Sequence, residues 1–266
     1  MNHLLEVANL TKIFTTPTGP FVAVQEFEAG IDDGEFVCLL GHSGCGKSTV
    51  LSIIAGLEKA SVGSVYVDGS VVDSPGTDRG VVFQAPCLLP WLNAEENVIL
   101  AIGQALPHYG RKQKKEHAQK YLEMVGVAEF SHQPPAELSL GIQQRVSLAR
   151  ALALEPRFLL LDEPFGMLDS LTRFELQDTL LKVWEQTHKT VLMVTHDVDE
   201  SLYVADRLIL MTDGPGGRVG KVMSVPFERP RERAAVLEHH EYYSLRESIF
   251  NFLEDHALQS TIRRAN

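Results

Sequence analysis

Two hydrophobic rhythms alternate along the chain, and the switches between them mark out its elements. Short apolar runs at residues 4–7 and 21–24, parted by a Thr/Pro/Gly turn from Thr15 to Pro20, predict strands. A wholly apolar run at 36–40 predicts a strand covered on both faces, and it passes through a glycine-rich segment into a helix over 48–57. Strand, glycine-rich loop and helix open an α/β unit. Residues 63–67 and 80–83 read as further strands. From about Pro86 to Leu154 the strand signals fade, and 97–104, 112–125 and 143–154 take helical spacing. Strands return at 158–161, 190–194 and 207–211, with a helix over 171–187 between the first two. The pattern predicts an α/β fold with a parallel-sheet core and a mainly helical insertion. Residues 228–233, mixing Pro, Arg and Glu, read as a linker into a last helix over 244–255. The basic run at 112–115 reads as a solvated helix face.

Composition narrows the classes. With 24 Lys and Arg against 35 Asp and Glu, the 266 residues carry a net charge of −11. A surface that tracks nucleic-acid phosphates has the opposite sign, so no nucleic-acid partner is expected. An apolar share of 44% at this length supports one large core or two small ones without disulfide staples. No apolar run reaches the roughly 18 residues needed to cross a bilayer. The start, Met1 to Glu6, lacks the basic and apolar regions of a secretory signal, which places the expected location in the cytoplasm. Cys38, Cys45 and Cys87 suit a reducing compartment and follow no metal-ligand spacing.

Two segments carry recognisable chemistry. Gly41-His42-Ser43-Gly44-Cys45-Gly46-Lys47-Ser48 fits G-x-x-x-x-G-K-[ST] and lies between a buried strand and a helix. Glycines let successive backbone N–H groups face phosphate oxygens, and the helix start through Thr49 adds its dipole. Lys47 would reach the β- and γ-phosphates, and the Ser48 hydroxyl would ligate Mg²⁺. The second segment, Phe158-Leu159-Leu160-Leu161-Asp162-Glu163-Pro164, is an apolar strand ending in two carboxylates. Alone it could equally be a surface turn; beside the phosphate loop, Asp162 suits Mg²⁺ and Glu163 suits polarising an attacking water.

Four further features follow in order: Gln84 after a strand, Leu138-Ser139-Leu140-Gly141-Ile142-Gln143-Gln144-Arg145 before a helix, Leu168-Asp169 after the acidic strand, and His196 after a later strand. From about Leu4 to Met211 the set resembles the ATP-binding subunit of an ABC transporter. The resemblance implies a P-loop NTPase with a RecA-like parallel-sheet core, an N-terminal antiparallel β subdomain and a helical insertion. It divides the chain into an ATPase domain over 1–225, with the helical part at about 86–154, and a tail over 226–266. It implies that Ser139 and the Gly141 backbone meet the ATP of a second ATPase subunit, identical or paralogous. Gln84 would sense Mg²⁺ and the attacking water, and His196 would contact the γ-phosphate. Phe14 lies where the family stacks an aromatic ring on adenine; a core phenylalanine is the other reading.

The family also implies a separate transmembrane permease, docked on the segment from Pro86 to Asn97, and an external substrate-binding protein. This would hold the chain on the cytoplasmic face of the inner membrane. Trp91 could be an anchor for the permease or local core. Phe165-Gly166-Met167-Leu168-Asp169-Ser170-Leu171-Thr172-Arg173 is similar to the nitrate, sulfonate and taurine importer branch. The wording at 212–220, 225–227 and 242–246 is similar to nitrate importer ATPases, with bicarbonate and cyanate relatives close by. One departure stands out. Leu140 replaces the first glycine of the family signature, which leaves open a tolerated variant or a slowed site. Cys45, if its thiol is accessible, would be alkylated with loss of activity, and ATP would protect it.

Overall fold

The computed structural model describes the backbone of residues 3–265 and the side chains up to His256. Met1 and Asn2, where the missing-signal expectation begins, lie outside the described residues, as do Asn266 and the side chains that end the tail. Backbone contacts divide the chain into two compact units. One is built from the N-terminal segment to Pro75 and from Thr190 onward, the other from Gly76–Lys189.

The first unit holds two sheets. Strands β1 (Leu5–Thr16) and β2 (Gly19–Ile31) form a long antiparallel hairpin, and β4 (Val62–Val67) and β5 (Ser70–Val71) complete the order β2-β1-β4-β5. The hairpin strands run well past the expected short pieces, so the turn shrinks to Pro17 and Thr18. Between Ala8 and Thr16 only Leu10 and Lys12 are buried, and register shifts interrupt the pairing with β2, so no unbroken apolar alternation announces the added length. In the other sheet, β3 (Phe36–Leu40) runs parallel between β8 (Thr190–Thr195) and β9 (Arg207–Met211), with all five of its residues buried. The fully apolar run reflects that double coverage. Strand β10 (Val219–Ser224) pairs antiparallel with β9 and was missed because its residues are nearly all solvent-facing. Arg207 straps this sheet from below. Its guanidinium donates to both Glu35 carboxylate oxygens at 2.6 Å and to the Gly30 carbonyl at 2.7 Å, and the Glu35 bond raises its pKa.

Helix α1 (Lys47–Ile54) follows β3, and α6 (Val198–Val204), also missed, follows β8. The stretch expected as a linker is instead clamped. Arg229 donates to Asp206 at 2.8 Å and to the Val204 carbonyl at 2.7 Å. Arg231 is buried and gives hydrogen bonds to the carbonyls of Tyr203 and Ala205, with burial lowering its pKa to about 10. Helices α7 (Arg233–Glu238) and α8 (Tyr242–Ala265) close this unit, and α8 outruns the expected 244–255 at both ends.

The second unit pairs β6 (Arg79–Val82) in parallel with β7 (Phe158–Asp162). Between them in sequence come α2 (Ala94–Ala105), α3 (Arg111–Met124) and α4 (Leu140–Leu152), packed on one another, and α5 (Ser170–Thr187) follows β7. Each expected helix appears with its start moved to a capping residue. Asn93 caps α2 in a reciprocal box with Glu96, and Asp169 caps α5 by accepting from the N–H groups of Leu171 and Thr172. Lys112 sits beside Glu116 and Lys115 beside Glu95, so the basic run is a solvated face of α3 with ion pairs at its surface.

The segment before α2 hangs on Asn97, which is 1% exposed. Its amide nitrogen donates to the carbonyls of Leu89, Leu92 and Asn93, and its oxygen accepts from the Leu89 N–H at 2.8 Å. Asn97→Ala is expected to lower stability by about 2–3 kcal/mol, because these groups lose their partner without gaining water. Equilibrium urea unfolding measures this; a loss below about 0.5 kcal/mol would mean that other contacts hold the segment.

Candidate active site

The sequence-predicted residues fall on both units. In the first, β3 delivers the chain into the glycine loop at Gly41. Gly46 is the N-cap of α1 with φ +103°, and a Cβ there would lie 2.7 Å from Val24 Cγ2 and 2.8 Å from the Ala23 carbonyl oxygen. No L-residue fits both the dihedral and the space. Lys47 then turns back over the loop. Its ammonium donates to the carbonyls of Gly41 at 2.8 Å and His42 at 2.9 Å, and the residue is 5% exposed. An ammonium has three donors, so one remains beyond these two bonds. Ser43, Gly44 and Ser48 are exposed at the loop surface, and Thr49 is half-buried in α1. His196 is exposed in the turn after β8, immediately ahead of the α6 cap Asp197, which accepts from the Glu200 N–H. Phe14 is half-buried on β1 and paired in register with Phe21; the Lys12 ammonium lies 4.7 Å from its ring centroid. It is therefore not a core side chain.

In the second unit, β7 ends at the half-buried Asp162, and Glu163 follows in the left-handed region at φ 46°. That backbone is sparsely populated for a residue with a side chain, and here it turns the carboxylate toward Gln84. Gln84 Nε2 donates to Glu163 Oε2 at 3.5 Å. Gly166 gives its N–H to the Glu163 carbonyl, and a Cβ on it would stand 3.3 Å from Gln84 Nε2 and 3.5 Å from Glu163 Oε2. Gln84, Glu163 and Gly166 thus meet at one point, beside Asp162.

Ser139 caps α4, its hydroxyl oxygen accepting from the Ile142 N–H at 3.3 Å. That bond uses a lone pair and leaves the hydroxyl hydrogen to donate. Gly141 is buried against Thr172 of α5, close enough that a Cβ would collide with the Thr172 methyl. Leu140, half-buried, is the first residue of α4. Hydrogen bonding from Thr172 holds the Asp169 carboxyl below its usual range.

Two residues that sequence reasoning passed over hold the segment behind Gln84. Gln144 Nε2 donates to the Phe83 carbonyl at 2.9 Å, and the Arg150 guanidinium donates to the carbonyls of Cys87 at 2.7 Å and Pro86 at 2.9 Å. Burial pulls the Arg150 pKa down. Both are polar residues on the inward side of α4, which is the signal that could have found them. Trp91 is 74% exposed and so is not local core.

A family model described as ABC transporter matches residues 24–166. The chain belongs to the ABC transporter family. It is 48% identical to the nitrate import ATP-binding protein NrtD of Synechococcus elongatus over 242 residues, 91% of this chain and 88% of that one. With the bicarbonate transport ATP-binding protein CmpD of the same species it shares 47% over 249 residues, 94% and 90% of the two chains. Among solved structures, the dimeric post-hydrolysis state of the ATP-binding cassette MJ0796, bound to ADP and Pi, superposes with a TM-score of 0.74 at 34% identity. That match covers 84% of this chain and all of the other.

This ABC transporter ATPase therefore has the family fold, with the antiparallel β subdomain, the parallel strands and the helices all present. One expectation about its phosphate loop needs correction. The Cys45 side chain is fully buried, with its sulfur packed where a Cβ on Gly41 would be, and burial raises its pKa. The thiol faces the interior, so Cys45 contributes backbone and filling to the loop. A low thiolate fraction and no access make it a poor nucleophile. Cys87 is the exposed thiol. Maleimide is therefore expected to label Cys87 rapidly in the folded protein and Cys38 and Cys45 only after unfolding, with Mg-ATP making no difference at Cys45. Peptide mapping of the adduct checks this; rapid labelling of Cys45 in the folded chain would show that solvent reaches it.

Proposed function

We propose that the chain is the ATP-hydrolysing subunit of an importer for a small oxyanion, nitrate, acting with a second ATPase subunit beneath a separate permease. An external binding protein supplies the anion. The carrying observation is the likeness to the nitrate import subunit along nine tenths of the chain, which takes in the wording at 212–220 and 225–227. Bicarbonate is the second reading, supported by the comparable likeness to CmpD. No helix among the described residues is long and apolar enough to cross a membrane. A peripheral position on the cytoplasmic face, with exposed Trp91 toward the permease, accords with that.

ATP is held by the curled backbone at 41–46, by the remaining Lys47 donor and by the α1 N-terminus. Phe14 offers a half-buried ring to adenine. The Ser48 hydroxyl, the Gln84 carboxamide oxygen and the Asp162 carboxylate are all hard oxygen donors, the set Mg²⁺ takes. When bound, Mg²⁺ neutralises charge gathering on the β- and γ-phosphate oxygens. Glu163 takes a proton from the attacking water as its oxygen bonds to the γ-phosphorus and the bond to the β–γ bridging oxygen breaks, giving ADP and phosphate. Gln84, bonded through its NH₂ to Glu163, keeps its oxygen for the water or the metal side. His196, exposed ahead of α6, donates to the γ-phosphate. Ser139 and the Gly141 N–H serve the ATP of the second subunit.

Glu163→Gln is expected to bind ATP normally, to hydrolyse it about 10²–10⁴ times more slowly, and to accumulate as a nucleotide-bound dimer in size-exclusion chromatography. Retained hydrolysis would move the base elsewhere. For the substrate, ATP hydrolysis by the whole complex with its binding protein, in vesicles, is expected to rise with nitrate and to ignore taurine. Stimulation by bicarbonate and not nitrate would replace the first reading with the second.

A further inference from the structure

The phosphate loop has an attachment that its ATP chemistry does not require. His42 Nε2 donates to the main-chain carbonyl of Leu253 at 3.0 Å, joining residues 211 apart in sequence. Leu253 lies in α8. The His42 main chain is meanwhile a node of the loop: its carbonyl accepts from the Lys47 ammonium at 2.9 Å and from the Cys45 N–H at 3.3 Å. Any displacement of His42 moves one of the two oxygens that hold Lys47.

Helix α8 is fixed independently of the loop. Tyr242, Ile249 and Leu253, at spacings of seven and four, form a buried stripe along it. Asp199 in the first turn of α6 accepts from the Tyr242 hydroxyl at 2.8 Å and from Arg246 Nε at 2.7 Å. On the β10 side, Lys221 donates to Ser248 at 2.9 Å, and Phe252 lies against Gly220 so closely that a Cβ there would overlap its ring. One end of the described part of α8 therefore sits on the helix that follows His196, and the other end reaches the phosphate loop.

We infer that His42 is a positioning residue through which helix α8 sets the phosphate loop, and with it the loop's hold on ATP. The inference rests on reading residues 41–48 as the ATP-binding loop. Losing one hydrogen bond that orders a loop before binding raises the requirement for nucleotide and leaves the chemical step alone.

His42→Ala is expected to raise KM for ATP about three- to tenfold, the worth of one such bond, with kcat within about twofold. His42→Gln, whose amide can donate to the same carbonyl, should stay within about twofold of the parent in both constants. By reciprocity, saturating Mg-ADP should slow backbone hydrogen exchange at residues 245–256 in the parent and not in His42→Ala. An unchanged KM in His42→Ala, equal losses in the Ala and Gln variants, or exchange in α8 that ignores ADP in the parent would each overturn the proposal. Lys47→Ala separates this from the underlying reading: if it binds ATP as tightly as the parent, the loop assignment itself fails, whatever His42 does.

Discussion

The charged end of a lysine that is 5% exposed has to be surrounded by oxygen, and most of the first unit follows from meeting that need at Lys47. The oxygens come from the backbone of the loop itself, at Gly41 and His42, so the loop must fold back on the helix it starts. Folding back brings Gly46 against Ala23 and Val24, and seats Gly41 against the Cys45 sulfur. Both contacts demand glycine. They also demand a rigid base, which β3 provides by lying wholly buried between β8 and β9. The base is tied at its other end by the Arg207 strap on Glu35 and by Asp206, which accepts from the Phe36 N–H at 3.0 Å. A charged side chain is thus held where a phosphate can share it, without being left to water.

The second unit meets a different constraint, that of aiming a carboxylate. Glu163 accepts a left-handed backbone, at about 1–3 kcal/mol of strain, to leave the end of β7 in the required direction. The surroundings over-determine that conformation: Pro164 and Phe165 are buried just beyond it, and Gly166 returns its N–H to the Glu163 carbonyl. Because Gly166 has no side chain, the space beside Gln84 and Glu163 stays open.

Contiguous chemistry was legible in the sequence and distributed support was not. The apolar β3, the glycine loop and the strand ending in Asp162-Glu163 each put their signal into a run of eight residues or fewer, so residue type and order sufficed to find them. Strand β10 lacks apolar alternation because it is an exposed edge, and α6 is too short for a helical period to stand out. The clamp of Arg229 and Arg231 on the carbonyls that end α6 is a tertiary fact, and the local Pro/Arg/Glu composition suggests the opposite, a free linker. Cys45 shows the same limit on a smaller scale. Its place in the motif identifies the loop, but whether its sulfur points to solvent or inward against Gly41 depends on the turn that the flanking glycines impose.

Gln144 shows how such support can run against local stability. Its carboxamide lies among Val82, Leu148, Leu161, Phe165 and Leu176, and its oxygen is buried with no hydrogen-bond partner. A leucine there would remove an unsatisfied acceptor that costs about 1–3 kcal/mol. It would also remove the donor from the Phe83 carbonyl, the last backbone oxygen before Gln84. One turn and a half further along α4, Arg150 gives up hydration to bind the carbonyls of Pro86 and Cys87. Together they fix the main chain on either side of Gln84 from a single helix, the one whose first turn carries Ser139 and Gly141. The residues at the start of α4 and the residue facing Glu163 are therefore parts of one rigid piece, and the buried polar groups are what make it rigid.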